Sequence, residues 1–150
     1  MNRTFFLLLS LIVYIADQAT KILIQRSLNL LEVIPLNSFF NLVYYRNTGS
    51  AFGMFKNLGN TFFIVVSATA ILVVIILMLK DEVNRPGLSF ILGGAAGNLT
   101  DRIVRNYVID FLEVHAGNHF WPAFNIADSA LTIGMGLMLI NAWLHRKDAP

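Results

Sequence analysis

Cysteine is missing from the sequence altogether. Its absence excludes a disulfide framework, a thiolate zinc site and a cysteine nucleophile. Charge is scarce as well: 13% of the residues are Asp, Glu, Lys or Arg, where a soluble domain carries about 25%. An ordinary water-soluble domain is therefore excluded. The net charge of +2 comes without a basic stripe interleaved with aromatics, so no nucleic-acid partner is expected. Histidine occurs only at positions 115, 119 and 145. His115 and His119 stand at i and i+4 in "HAGNH", but the stretch lacks the glutamate of a zinc-protease helix and has glycine at its centre. It reads as a solvated loop, and neither metal nor cofactor is expected. Ser50 and Ser129 have no histidine nearby to act as base, and no glycine-rich phosphate loop with its lysine occurs.

What the chain has in quantity is apolar sequence: 56% hydrophobic residues over a length of 150, with a mean hydropathy of +0.63. That length allows a single domain. Four apolar segments stand out, at about Thr4 to Ile24, Thr61 to Leu79, Gly87 to Val104 and Asn125 to Leu144. At about 1.5 Å per helical residue each approaches the roughly 30 Å hydrocarbon core of a bilayer. The expected fold is an all-α polytopic membrane protein of four transmembrane helices. Arg3 ahead of an apolar run resembles a signal peptide, but Asp17 and Lys21 are followed by further apolar residues, so the segment reads as a retained helix.

An even number of spans puts both termini on one side, with Arg3, Lys80, Arg85, Arg146 and Lys147. By the positive-inside rule that side is the cytoplasm. The outer face then receives the connections at about 25–60 and 105–123. In the first, "FFNLVYYRNTGSAFGMF" alternates polar and apolar residues, which predicts short strands around a turn at Asn47-Thr48-Gly49. A small extracytoplasmic β element follows, with the segment from about Ser38 to Phe55 placed to cover the outer mouth.

Charged residues inside apolar segments are costly, about 2.5–3.5 kcal/mol on insertion scales, and mark a bundle interior or a site. Asp17 and Lys21 share a helix face and can pair; a structural ion pair is the leading reading, direct substrate contact the other. "GGAAGNLTDR" offers a small-residue face for close helix packing. Asn98, Asp101 and Arg102 can face a common side, with Arg102 free to tie down a carboxylate or backbone carbonyls elsewhere. Asn125 and Asp128 have the spacing of a capping box at a helix start. Helix capping does not account for Asp110 in "YVIDFLEV". The loop between Asp110 and Asp128 returns to the same membrane surface, so the two carboxylates can converge there. Close carboxylates share one proton, and such a dyad can activate water with one member and protonate the leaving group with the other.

With these pieces in place the chain resembles the lipoprotein signal peptidases, the signal peptidase II family of bacteria. The resemblance rests on "DQATK" at 17–21, "RNTGSAFG" at 46–53, "GGAAGNLTDR" at 93–102, "VIDFL" at 108–112 and "FNIADS" at 124–129, in order along nearly the whole chain. Ser50 stands where alanine or glycine is more usual. The resemblance implies an intramembrane aspartic endopeptidase at the outer face of the cytoplasmic membrane. It would cut prolipoproteins before a diacylglyceryl-modified cysteine, with Asp110 and Asp128 as the dyad. Asp17, Lys21, Asn47, Gly49, Asn98, Arg102 and Asn125 would bind substrate or support the site. The partners implied are diacylglyceryl-modified prolipoproteins and membrane lipid; no oligomer is predicted. The competing reading is a small transporter or helix-packing scaffold. It is disfavoured because Asp101, Asp110 and Asp128 gather at one end rather than near mid-membrane.

Overall fold

In a computed structural model of the chain, residues 2–49 and 58–145 are described. The first helix, α1, is Arg3–Ser27, capped by the Asn2 side chain on the Thr4 N–H. Strands β1 (Val33–Pro35) and β2 (Phe40–Asn47) follow, then helices α2 (Gly59–Lys80) and α3 (Arg85–Arg105). Strands β3 (Val108–Ala116) and β4 (His119–Phe120) precede the last helix, α4 (Ile126–His145). The helices overrun the expected segments by only a few residues at their ends.

Among the described residues three helices, α1, α2 and α4, are long and apolar enough to cross a membrane. Their side chains point outward in numbers that water would not tolerate: Ile12, Val65, Leu72, Ile133 and Leu139 are all exposed. α3 is just as long, 21 residues, but it is the polar helix of the set and packs against all three others. Its glycines make that possible. A Cβ at Gly93 would stand 2.6 Å from the Ser10 carbonyl of α1, and one at Gly94 2.5 Å from the Ala127 carbonyl of α4. At the far end Gly87 and Gly134 meet in the same way. Small residues at these crossings let the backbones approach.

Among the described residues the strands run β1-β2-β3-β4, all antiparallel, so the sheet draws on both connections; a strand following the turn at Asn47-Thr48-Gly49 would lie outside the described residues. Ser50 and the rest of the covering segment beyond Gly49 lie outside the described residues. His115 departs from expectation. It sits in β3, stacked on Phe120 with ring centroids 5.2 Å apart, instead of in a solvated loop.

α3 ends at Asn106, which takes the left-handed conformation (φ 64°), a common way of stopping a helix and reversing the chain. β3 therefore starts directly above the end of α3. Within β3 the N–H groups of Phe111 and Leu112 both donate to the Phe124 carbonyl, at 3.0 and 2.9 Å, the signature of a β-bulge. Both side chains pack toward the core formed with Ile24, Leu28, Tyr44 and Ile109. Asp110 and Glu113, on either side of the bulge, are left to face the other way, toward Asn47 and Asn41.

Candidate active site

Polar side chains from every layer meet where the ends of α1 and α3, the start of α4 and the sheet come together. Asp110 is almost wholly buried, 4% exposed. Its Oδ1 accepts from the Asn125 side-chain amide at 2.8 Å and its Oδ2 from that of Asn47 at 3.0 Å. Asp128, half-buried in the first turn of α4, accepts from the Asn98 amide at 2.8 Å and from the Asn125 backbone N–H at 3.2 Å.

Asn125 is where the two carboxylates are joined. Its carbonyl Oδ1 accepts the Asp128 N–H at 2.9 Å, completing a reciprocal capping box. That leaves its NH2 group for Asp110 and for the Ile109 carbonyl at 3.1 Å. The capping role and the site role belong to the same residue and use different atoms. Asn98 is oriented by an equally strict rule. Lys21 Nζ donates to its Oδ1 at 2.9 Å; an ammonium has no acceptor capacity, so the Asn98 NH2 is turned toward Asp128.

Asp17 and Lys21 form the expected i, i+4 pair at 2.9 Å, with both side chains fully buried. Arg102 touches neither Asp110 nor Asp128 among the hydrogen bonds of the described residues. It donates to the Gly49 carbonyl at 3.0 Å and lies over the Phe63 ring at 4.9 Å. Since the Gly49 N–H in turn donates to Asn47 Oδ1 at 2.9 Å, Arg102 steadies the turn that aims the Asn47 amide at Asp110. Gly49 thus enters through its backbone. Among the described residues no group of three His, Asp or Glu is placed to hold a metal ion.

Asp101 is not among the expected site residues, yet it is fully buried against Lys21 at 3.1 Å and Arg105 at 2.6 Å. Its i, i+4 spacing to Arg105 was a visible signal; its contact with Lys21 across two helices left no mark on the sequence. Asn41 and Glu113, bonded across β2 and β3 at 2.9 Å, were missed for the same reason.

Burial pushes the Asp110 carboxyl up to about 7, and the charge of Asp128 adds to the rise; the Asn47 and Asn125 hydrogen bonds and the Lys21 charge oppose it. The folded state therefore holds this proton far more tightly than the unfolded chain does, and stability drains away as pH rises from about 4 through about 7. Asp110→Asn, which cannot ionise, should melt higher than wild type by on the order of 5 °C at pH 8 and by little at pH 4. Thermal melts in detergent micelles check this, and an equal shift at both pH values would refute the assignment.

These features fit a known family. The sequence from residue 9 to residue 144 matches the family described as "Signal peptidase (SPase) II". The chain belongs to the signal peptidase II family. Its relatives include the lipoprotein signal peptidase of Thermodesulfovibrio yellowstonii, 44% identical over 128 residues that make up 85% of this chain and 87% of the relative. That of Syntrophotalea carbinolica is 43% identical over 144 residues, 91% and 89% of the two chains. Among solved structures, a bacterial membrane enzyme obtained by the in meso method superposes with a TM-score of 0.90 at 28% identity, covering 98% of this chain and 92% of that one. The family is one of membrane proteases, and the outward-facing apolar helices described above are those of a membrane protein.

Proposed function

We propose that the chain is an aspartic endopeptidase that removes signal peptides from prolipoproteins, cutting before the diacylglyceryl-modified cysteine. The observation that carries the reading is the Asn125 bridge, which holds one buried and one half-buried carboxylate at a common point. Family membership supports the substrate class.

In this mechanism the pair of Asp110 and Asp128 holds one proton between its members. The ionised carboxylate takes a proton from a water as that water attacks the scissile carbonyl. The protonated partner donates to the carbonyl oxygen, giving a neutral gem-diol intermediate. Collapse of the intermediate breaks the C–N bond: the proton taken from water passes to the leaving amine of the cysteine, and one gem-diol hydroxyl returns its proton to the other carboxylate as it becomes the new carbonyl, restoring the singly protonated pair. No covalent enzyme intermediate forms. Asn47, Asn98 and Asn125 fix the carboxylate planes, and Lys21 and Arg102 orient those amides from behind.

The placement in the membrane is part of the proposal. α3 is the fourth crossing helix, shielded from lipid by the other three, and residues 1–150 form one membrane-embedded peptidase domain. Arg3 donates to the Leu79 carbonyl at 3.2 Å, so the start of α1 lies beside the end of α2, among the positive residues assigned to the cytoplasm. The aspartates then lie at the outer face of the bacterial cytoplasmic membrane. A lipidated cysteine can arrive sideways with its acyl chains still in the bilayer.

The test uses purified protein in micelles with a prolipoprotein that carries diacylglyceryl and one that does not. Mass spectrometry should find the cut directly before the cysteine in the lipidated precursor, unchanged by chelator, and none in the other. Loss of cleavage on chelation, or equal cutting of both precursors, would sink the reading.

A further inference from the structure

The buried charges behind the pair are arranged more specifically than an ion cluster requires. Lys21 Nζ stands at ion-pair distance from two carboxylates, Asp17 Oδ2 at 2.9 Å and Asp101 Oδ2 at 3.1 Å, and donates to Asn98 Oδ1 at 2.9 Å. Gln18 Nε2 spans Asp17 and Asp101, at 3.1 Å to each. Asp17 Oδ1 accepts the backbone N–H of Ala127 at 2.9 Å, and Asp101 Oδ2 accepts that of Ile109 at 3.0 Å. Ala127 directly precedes Asp128, and Ile109 directly precedes Asp110. With Arg105 on Asp101 Oδ1 the four charges balance.

Resting on the function proposed above, we infer that the Asp17–Lys21–Asp101 triad is a positioning device that sets the spacing between Asp110 and Asp128. Each of its carboxylates grips the chain one residue ahead of one reacting aspartate. Lys21 is the common tie: it pulls both grips toward one point and, through Asn98, turns an amide onto Asp128. The segments that carry the two aspartates, β3 and the start of α4, come from different parts of the chain. The triad on α1 and α3 references both to a single ammonium. Any buried N–H needs an acceptor; what is specific here is that both of these stand one residue ahead of a reacting aspartate.

Asp17→Asn and Asp101→Asn each break one tie to Lys21 while leaving an oxygen for the N–H. Gly97→Ala perturbs the triad without changing charge, since its new Cβ would run into the Asp17 carboxylate. Per folded molecule, each variant should lose about 10- to 100-fold in kcat with KM within about 3-fold, the signature of misplaced reacting groups. Asp110 is faced by Asp128 on α4, Arg102 on α3 and Lys21 on α1. Neutralising Asp17 leaves the Lys21 charge less compensated, which favours ionised Asp110, so the alkaline limb of the pH–rate profile should move to lower pH in Asp17→Asn and stay in place in Gly97→Ala.

Variants that melt early but keep the wild-type kcat and pH profile would show the triad to be structural only, and the inference would fall. Should the asparagine variants not fold, Gly97→Ala and Lys21→Arg carry the kcat comparison. If the wild type cleaves nothing, the proposed function falls instead. In that case a 13C titration of the Asp110 carboxyl, with and without Asp17→Asn, still decides the triad: an unmoved titration overturns it.

Discussion

Asp110→Asn and Asp128→Asn are each expected to fold and to cleave at about a thousandth of the wild-type rate or less. Proton transfer by a placed acid or base contributes about 10²–10⁴-fold, and in a dyad the loss of either member removes both the acid and the base steps. The double variant should therefore be no slower than either single one, because residues that act as a unit are not additive. Asparagine preserves the shape and one acceptor oxygen, so the Asn125 and Asn98 contacts survive in part and the fold is spared. Steady-state cleavage of the lipidated precursor, normalised to folded protein, measures the effect. Either variant retaining a tenth of wild-type activity would remove that aspartate from the chemistry.

Asn125 should come second, and two substitutions separate its two functions. Asn125→Leu deletes the helix cap on the Asp128 N–H and the amide that serves Asp110 and Ile109. A lost cap costs about 1 kcal/mol, and a buried acceptor left without its donor about 1–3 kcal/mol more. The variant should be clearly destabilised and lose about 10²–10³-fold in kcat. Asn125→Ser keeps a capping oxygen but cannot reach Asp110 with an amide. It should melt within a few degrees of wild type and still lose most of that activity. Full turnover in Asn125→Ser would show that the bridge matters only for the helix.

Much of this arrangement was legible because its signals are local. The apolar lengths of α1, α2 and α4, the i, i+4 step from Asp17 to Lys21, and the cap spacing from Asn125 to Asp128 each depend on a few neighbouring residues. The glycines of α3 also announced close packing, and Gly93 and Gly94 touch α1 and α4 as such residues should. What stayed hidden is pairing over distance. β2 finds β3 more than sixty residues later in the chain, at Asn41 with Glu113 and Tyr45 with Asp110, and no alternation in either strand specifies the other as its partner. Asp101 looked like one polar residue among several, because its fully buried role depends on an ammonium from a different helix. His115 misled through spacing: histidines four apart suggest a loop or helix pair, while the strand that holds His115 is defined by its neighbours across the sheet.

The bulge in β3 has a consequence for how this strand can change. A β-strand assigns its residues to two sides by parity, and parity alone would put Asp110 and Glu113 on opposite faces. The doubled step at Phe111 and Leu112 reverses the count once, so that two apolar residues in a row go inward and both carboxylates go outward. Deleting one residue here would not simply shorten the strand. It would remove the bulge as well: Asp110 and Glu113 would stand two residues apart and by parity still share a face, while the core would lose one of its two consecutive inward side chains. The bulge is thus what lets two adjacent core side chains separate two carboxylates that share the outer face.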